Sequence, residues 1–385
     1  MLRHQRSRLP LRGFALLILC AVAGCSSSVE GYPDELRYPV RTDPIVASVP
    51  NAVPKSPIAA GKLDEAILEL KNIGGKLYLP DQLSENDRRA IEEALVAKFG
   101  TPARPLIDGH DPEGRLALGS QHFRRQCVQC HGLSGNGRGP TGLWISPTPR
   151  DFRQGAFKFV SSKGSAPRKP SRDDLLRTLQ HGLPGTAMPA FAMLGDDVLK
   201  LIIDYVMHLS IRGEVEYKLM LTILSEGHDS LDGSIPEEVN AFAKRSLNEW
   251  MNIEPIVVPD DREMVGDDPE SVRRGWQLFH AKEGAGCLAC HENYGRSAQA
   301  RYDIWGTQVV PRNLTEPVYK GGKQPKDHFL RVRGGIAPSG MPAVEHLSNE
   351  QVWDIVHFVQ ALPYPARLPI DVRAHVYPEL TEGVK

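Results

Sequence analysis

The sequence predicts an all-α chain that contains a tandem duplication, and three observations carry the prediction. Apolar residues recur at helical spacing through most of the chain. One pentapeptide occurs twice, as Cys127-Val128-Gln129-Cys130-His131 and Cys287-Leu288-Ala289-Cys290-His291. Each copy is followed by a Gly-rich segment that ends in Met-Pro, at Met188 and Met341.

Cys-x-x-Cys-His is the attachment pattern of c-type haem, in which two thiols bond to the porphyrin vinyl groups and the imidazole becomes the proximal iron ligand. Two copies imply two covalently bound haem c groups on Cys127, Cys130, Cys287 and Cys290, with His131 and His291 on iron. A zinc site normally brings its second Cys pair within about 15–20 residues, whereas 156 residues lie between Cys130 and Cys287. A thioredoxin-like dithiol needs a βαβ setting, and neither motif has one.

In chain order, residues 1–24 form an export signal. Arg3, Arg6, Arg8 and Arg12 precede the apolar run from Phe14, and Val22-Ala23-Gly24-Cys25 resembles a bacterial lipobox. That resemblance implies a lipid on Cys25, and Ser26 after it points to the outer membrane. Export also suits haem attachment, which bacteria complete outside the cytoplasm, so the expected location is the periplasmic side of the envelope. Residues 25–60, with Pro33, Pro39, Pro44, Pro50, Pro54 and Pro57, read as a flexible tether. Residues 61–108 read as a helical extension, its second helix capped by Ser84 and stopped at Gly100.

The first haem domain spans 109–211. Gly119, Phe123, Cys127 and His131 fall on one helical face, a Gly-rich loop follows to Phe152, and helices are expected at 173–181 and 196–209. Residues 212–267 read as a helical insertion, with stretches at 214–226 and 236–250. The second domain, 268–364, repeats the frame, and residues 365–385 read as a C-terminal tail. Gly275 and Phe279 mirror Gly119 and Phe123, Pro311-Arg312 mirrors Pro149-Arg150, and Gly335–Ala343 mirrors Gly182–Ala190. Met188 to Tyr205 and Met341 to Phe358 are both intervals of 17 residues.

Hydrophobic residues at 41% and charged residues at 24% are ordinary for a globular protein, so the functional class must come from the motifs. Without residues 1–24, 42 of the 46 basic residues remain against 47 acidic ones, a net charge near −5 that argues against nucleic acid as a partner. Outside the signal no run of about 18 apolar residues occurs, so the lipid would hold the chain at the membrane.

A haem that carries electrons keeps both axial positions filled. The sixth ligand is expected about 50–60 residues beyond each motif, where Met188 and Met341 lie in matching contexts. Met193, Met207, Met220, Met251 and Met264 lack that duplicated context and read as core filler. His181 is the alternative to Met188, but Gly334 stands in its place in the second repeat. His328, His346 and His357 read as surface or packing residues.

On these residues the chain resembles class I c-type cytochromes, specifically bacterial dihaem cytochromes with two such domains in tandem, over about 110–210 and 268–364. The resemblance implies that the Gly119/Phe123 and Gly275/Phe279 helices cross the C-terminal helices beside Tyr205 and Phe358. It implies that the carbonyls of Pro149 and Pro311 accept the imidazole N–H, with Arg150 and Arg312 on the haem propionates. The function it implies is single-electron carriage, without substrate turnover, between partners such as a respiratory complex, a dehydrogenase or a terminal oxidase. The alternatives are a dihaem peroxidase-type enzyme and an electron-transfer subunit of a larger dehydrogenase or oxidase.

Overall fold

The computed structural model describes residues 31–107, 110–164, 168–259 and 268–380. Among them the helices are α1 (Leu63–Leu68), α2 (Glu85–Phe99), α3 (Arg115–Gln126), α4 (Val128–His131), α5 (Arg172–His181), α6 (Asp196–Glu226) and α7 (Ile235–Met251). They continue as α8 (Pro269–His280), α9 (Pro325–Gly334), α10 (Asn349–Ala361) and α11 (Ile370–Val376). Two short antiparallel pairs join them, β1 (Ile45–Ser48) with β2 (Lys76–Tyr78) and β3 (Arg301–Tyr302) with β4 (Gln308–Val309). The fold is all-α, as expected, with the strands as local clasps. The expected signal and Cys25, the expected site of a lipid, lie outside the described residues.

Capping chemistry sets several boundaries. Ser84 accepts the Asp87 N–H at the start of α2, and Ser171 with Asp174, Gln324 with Asp327 and Ser348 with Gln351 form reciprocal boxes on α5, α9 and α10.

Each half is built on one helix crossing. In the first, α3 crosses α6 at Gly119, where a Cβ would sit 2.2 Å from the Leu201 carbonyl, and Phe123 meets Tyr205 edge-on at 5.3 Å. In the second, α8 crosses α10 at Gly275, where a Cβ would sit 1.9 Å from the Asp354 carbonyl, and Phe279 meets Phe358 edge-on at 5.4 Å. Only glycine lets two backbones come this close.

Around these crossings the cores differ from the expected divisions. The helices expected at 196–209 and 214–226 are one 31-residue helix, because no proline interrupts it and its one glycine, Gly213, packs against Arg153. Helix α7 folds back on its second half and also packs on α2, so Tyr38, Phe99, Phe123, Leu209, Leu219 and Trp250 share one core. Helix α2 of the expected extension and helix α7 of the expected insertion are therefore part of the first unit, whereas Leu63, Ile67 and Leu70 form a separate small cluster and Ile256 and Val258 pack on the second core.

Residues 32–48 are likewise not a free tether. Tyr38 is 1% exposed and its hydroxyl pairs with that of Tyr205 at 2.9 Å, while β1 pairs with β2. Asp43 bridges the buried guanidiniums of Arg41 (3.1 Å) and Arg153 (2.8 Å). Their charge attraction holds the carboxyl of Asp43 well below the usual carboxylate range, against the opposing effect of burial. Such pairing is long-range, and local composition carries no trace of it.

In the second unit the expected tail contributes α11, whose Val372 and Val376 are buried in the same core as Phe279, Trp353 and Phe358. The two units meet through Lys158 and Asp303 at 3.0 Å, Arg331 and the Val160 carbonyl at 3.0 Å, and the β3–β4 hairpin. That hairpin lays Tyr302 and Gly306 on the small cluster of Val46, Ile67 and Leu70.

Candidate functional site

Both pentapeptides adopt the same tight turn. Cys130 and His131 donate their N–H groups to the Cys127 carbonyl at 3.1 and 2.9 Å, and Cys290 and His291 donate to the Cys287 carbonyl at the same distances. Cys127, Cys130, Cys287 and Cys290 form no disulfide. Burial pushes the Cys127 and Cys287 thiols up to about 12, which is opposite to the activated thiolate of a redox dithiol. Among the described residues no group of three His, Cys, Asp or Glu is placed to hold a bare metal ion.

The imidazoles are oriented by backbone. His131 Nδ1 lies 3.1 Å from the carbonyl of Arg150, and His291 Nδ1 lies 2.9 Å from the carbonyl of Arg312. The acceptors are thus one residue beyond Pro149 and Pro311, which the family resemblance had implied. Successive carbonyls of extended chain point to opposite sides, and in the first unit the Pro149 oxygen faces Gly137 instead. Burial lowers the pKa of His131 to about 4 and lowers that of His291, so both rings are neutral. With the proton on Nδ1 given to a carbonyl, the Nε2 lone pair is left for a metal. His131 also stacks on Phe152 at 4.8 Å and 17°, a ring that Leu314 replaces in the second unit.

The Met segments share a scaffold. Gly182 and Gly335 both take φ +65°, and a Cβ on either would lie 2.6 Å from the carbonyl oxygen of Met188 or Met341. Leu183 N–H donates to the Met188 carbonyl at 3.1 Å and Ile336 N–H to that of Met341 at 2.9 Å. Beyond them Phe191 N–H reaches Leu179 O (2.7 Å) and Val344 N–H reaches Val332 O (3.1 Å). Met188 and Met341 are both half-buried, and Met188 packs on the first core. His181 is exposed. Of the other methionines, Met220 is core and Met193 and Met251 are exposed, while Met264 lies outside the described residues. His328 and His357 are buried, and His346 bonds the Gly284 carbonyl at 2.9 Å.

Arg150 and Arg312, expected near propionates, sit on the loops that carry the acceptor carbonyls. The Arg150 guanidinium lies 3.7 Å over the Trp305 ring, and Arg312 pairs with Glu316. Two donors there are buried without a hydrogen-bond partner among the described residues, Trp305 Nε1 and Arg312 Nε. An orphaned buried N–H is costly, and a haem carboxylate would supply the missing acceptor, so the residues fit the group. Motif spacing does not single out Trp305; its signal in sequence is a lone tryptophan in the segment that separates the second motif from Pro311.

Residues 114–206 match the family described as cytochrome C oxidase, cbb3-type, subunit III. No curated protein matches the chain. Among solved structures, a chain of the reducing HAO-like protein complex of Kuenenia stuttgartiensis is 22% identical, covering 64% of this chain and 95% of that one at a TM-score of 0.45. The matched family segment contains Cys127, Cys130, His131 and Met188 on the α3–α6 crossing, and covalently bound haem c is its implied cofactor. Over residues 114–206 the chain thus matches a c-type cytochrome family, and that match spans the α3–α6 unit.

Proposed function

We propose that the protein is a lipid-anchored, periplasmic dihaem cytochrome c that passes single electrons between redox proteins and transforms no substrate. The observation that carries this reading is the repetition in the second unit. The same motif turn, imidazole–carbonyl bond, glycine crossing and glycine–methionine scaffold recur around His291 and Met341.

Haem iron, when bound, supplies a one-electron couple. The chain's own residues do the rest. Cys127, Cys130, Cys287 and Cys290 hold the two groups covalently, and the Arg150 and Arg312 carbonyls fix the rings of His131 and His291. Met188 and Met341 would supply thioethers to the iron, weak donors that favour the reduced state and raise the potential. Trp305 and Arg312 offer donors to the acidic edge. Because each unit offers both a histidine and a methionine to its haem, electron carriage is favoured over peroxide chemistry.

Among the described residues no helix is long and apolar enough to cross a membrane, and the anchor in this reading is the lipid on Cys25. Three experiments test the proposal. Met188→Ala and Met341→Ala should each lower the potential of one haem and leave the other, and unchanged potentials in both variants contradict the ligand assignment. Labelling with radioactive palmitate should mark the wild type and not Cys25→Ser. Fast peroxide turnover by the reduced protein would favour the enzyme reading instead.

A further inference from the structure

We propose that Arg168, which belongs to the first unit, is a positioning residue for the Met341 segment of the second, so that the geometry of one haem's ligand loop is held by the other unit. The inference rests on the reading of Met341 as an iron ligand.

Arg168 reaches across the junction. Its Nη1 donates to the Ser162 carbonyl at 2.7 Å, while its Nη2 donates to the Gly334 carbonyl and lies 3.4 Å from that of Gly335. The near end of this arm is itself fixed. Ser162 Oγ donates to the Lys169 carbonyl at 2.7 Å, and Ile256 N–H donates to Ser161 O at 2.8 Å. The far end is the hinge of the ligand loop, because the Met341–Ala343 backbone wraps within 2.6 Å of where a Gly335 Cβ would stand. The next residue, Ile336, donates its N–H to the Met341 carbonyl at 2.9 Å. A planar guanidinium holds its donors in a fixed fork toward these carbonyls, whereas the three donors of an ammonium rotate about one point.

The first unit is not built this way. His181 stands where the second unit has Gly334. A Cβ on Gly334 would already lie 2.9 Å from Arg168 Nη1, so a side chain at this position displaces the arm. Among the described residues no second-unit side chain donates to the carbonyls of His181 or Gly182. The second loop has another brace from the same junction, in which Ile304 N–H donates to Pro338 O at 3.0 Å. Ile304 follows Asp303, which Lys158 of the first unit holds at 3.0 Å. A thioether is a weak ligand, so its retention depends on how well its loop is held beforehand.

The test uses the full, haem-loaded chain and follows each haem by redox titration and by the thioether-to-ferric-iron absorption band. Met341→Ala and Met188→Ala assign the two waves. Arg168→Ala should lower the wave that Met341→Ala alters and leave the other. It should loosen the Met341 ligand about tenfold, as expected for losing a hydrogen bond from a charged donor. Arg168→Lys should fall between wild type and Ala. Gly334→Ala, which crowds the guanidinium, should shift the same wave and keeps the test open where Arg168→Ala does not accumulate. The Ile336 amide should exchange with deuterium faster in each variant. Equal shifts of both waves, or no shift in either with Ile336 protection unchanged, overturn the proposal while leaving the ligand assignment intact. A Met341→Ala variant with both waves unaltered overturns the ligand assignment itself and this inference with it.

Discussion

The two units solve one problem with different surroundings. In the first, the loop after the motif is glycine-rich, His131 rests on Phe152, and the core extends through β1, α2 and α7. In the second, Asn293 and Tyr294 take positive φ values of 47° and 60°, and a hairpin bearing Trp305 reaches back to the first unit. The Tyr294 carbonyl accepts the Leu314 N–H at 2.9 Å, as Gly135 accepts that of Phe152 at 2.8 Å. What persists between them is the backbone that orients the imidazole and shapes the Met segment. What varies is the filler around it. The matched family segment covers the first unit alone, and the second keeps its backbone frame with a different loop.

The largest expected effect breaks the comparison unit by unit. The pair Cys127→Ser with Cys130→Ser, and separately Cys287→Ser with Cys290→Ser, should each halve the haem content per chain, read by the pyridine haemochrome spectrum. Complete loss from either pair would show that the units do not load independently.

Next come the crossings. Gly119→Ala and Gly275→Ala drive a Cβ to 2.2 and 1.9 Å from a carbonyl oxygen, and each should cost roughly 3 kcal/mol or more. Denaturant unfolding followed at each haem should show the loss confined to the altered unit.

Acid should weaken both units alike. Burial lowers the pKa of His208 in the first unit and His328 in the second to about 4, against 6.5 when free. The unfolded chain then binds more protons between pH 6.5 and 4, so stability is full above 6.5 and falls as the pH drops through this window, by roughly 3 kcal/mol for each ring. His208→Gln should lessen the first unit's acid loss by the share of that ring, measured as unfolding midpoints at pH 7 and pH 5. The smallest effect is expected from Phe152→Leu, which gives the first unit the second's filler. It should cost about 1 kcal/mol in denaturant unfolding, with the second unit unchanged.

Much of the frame could be read from local pattern, because its parts act locally. The pentapeptides, the Ser84 cap, Gly119 and Gly275 beside their aromatics, and the glycine–methionine spacing each place a residue by contacts within one element or one crossing. The misread parts depend on distant partners. Residues 32–48 carry prolines and no periodicity, yet Tyr38 and Asp43 find Tyr205 and Arg153. The break expected after residue 209 failed because Gly213 is spent on packing against Arg153 within a continuous helix. The choice of Arg150 and Arg312 over the prolines before them turns on carbonyl direction, which spacing does not encode.

The central claim is that both halves of the chain are haem units, and the most direct test is a haem count. Protein purified from a cytochrome c-maturing host and assayed as the pyridine haemochrome should give two covalently bound haems per chain. One haem per chain, with the Cys287–His291 peptide recovered unmodified by mass spectrometry, would contradict it.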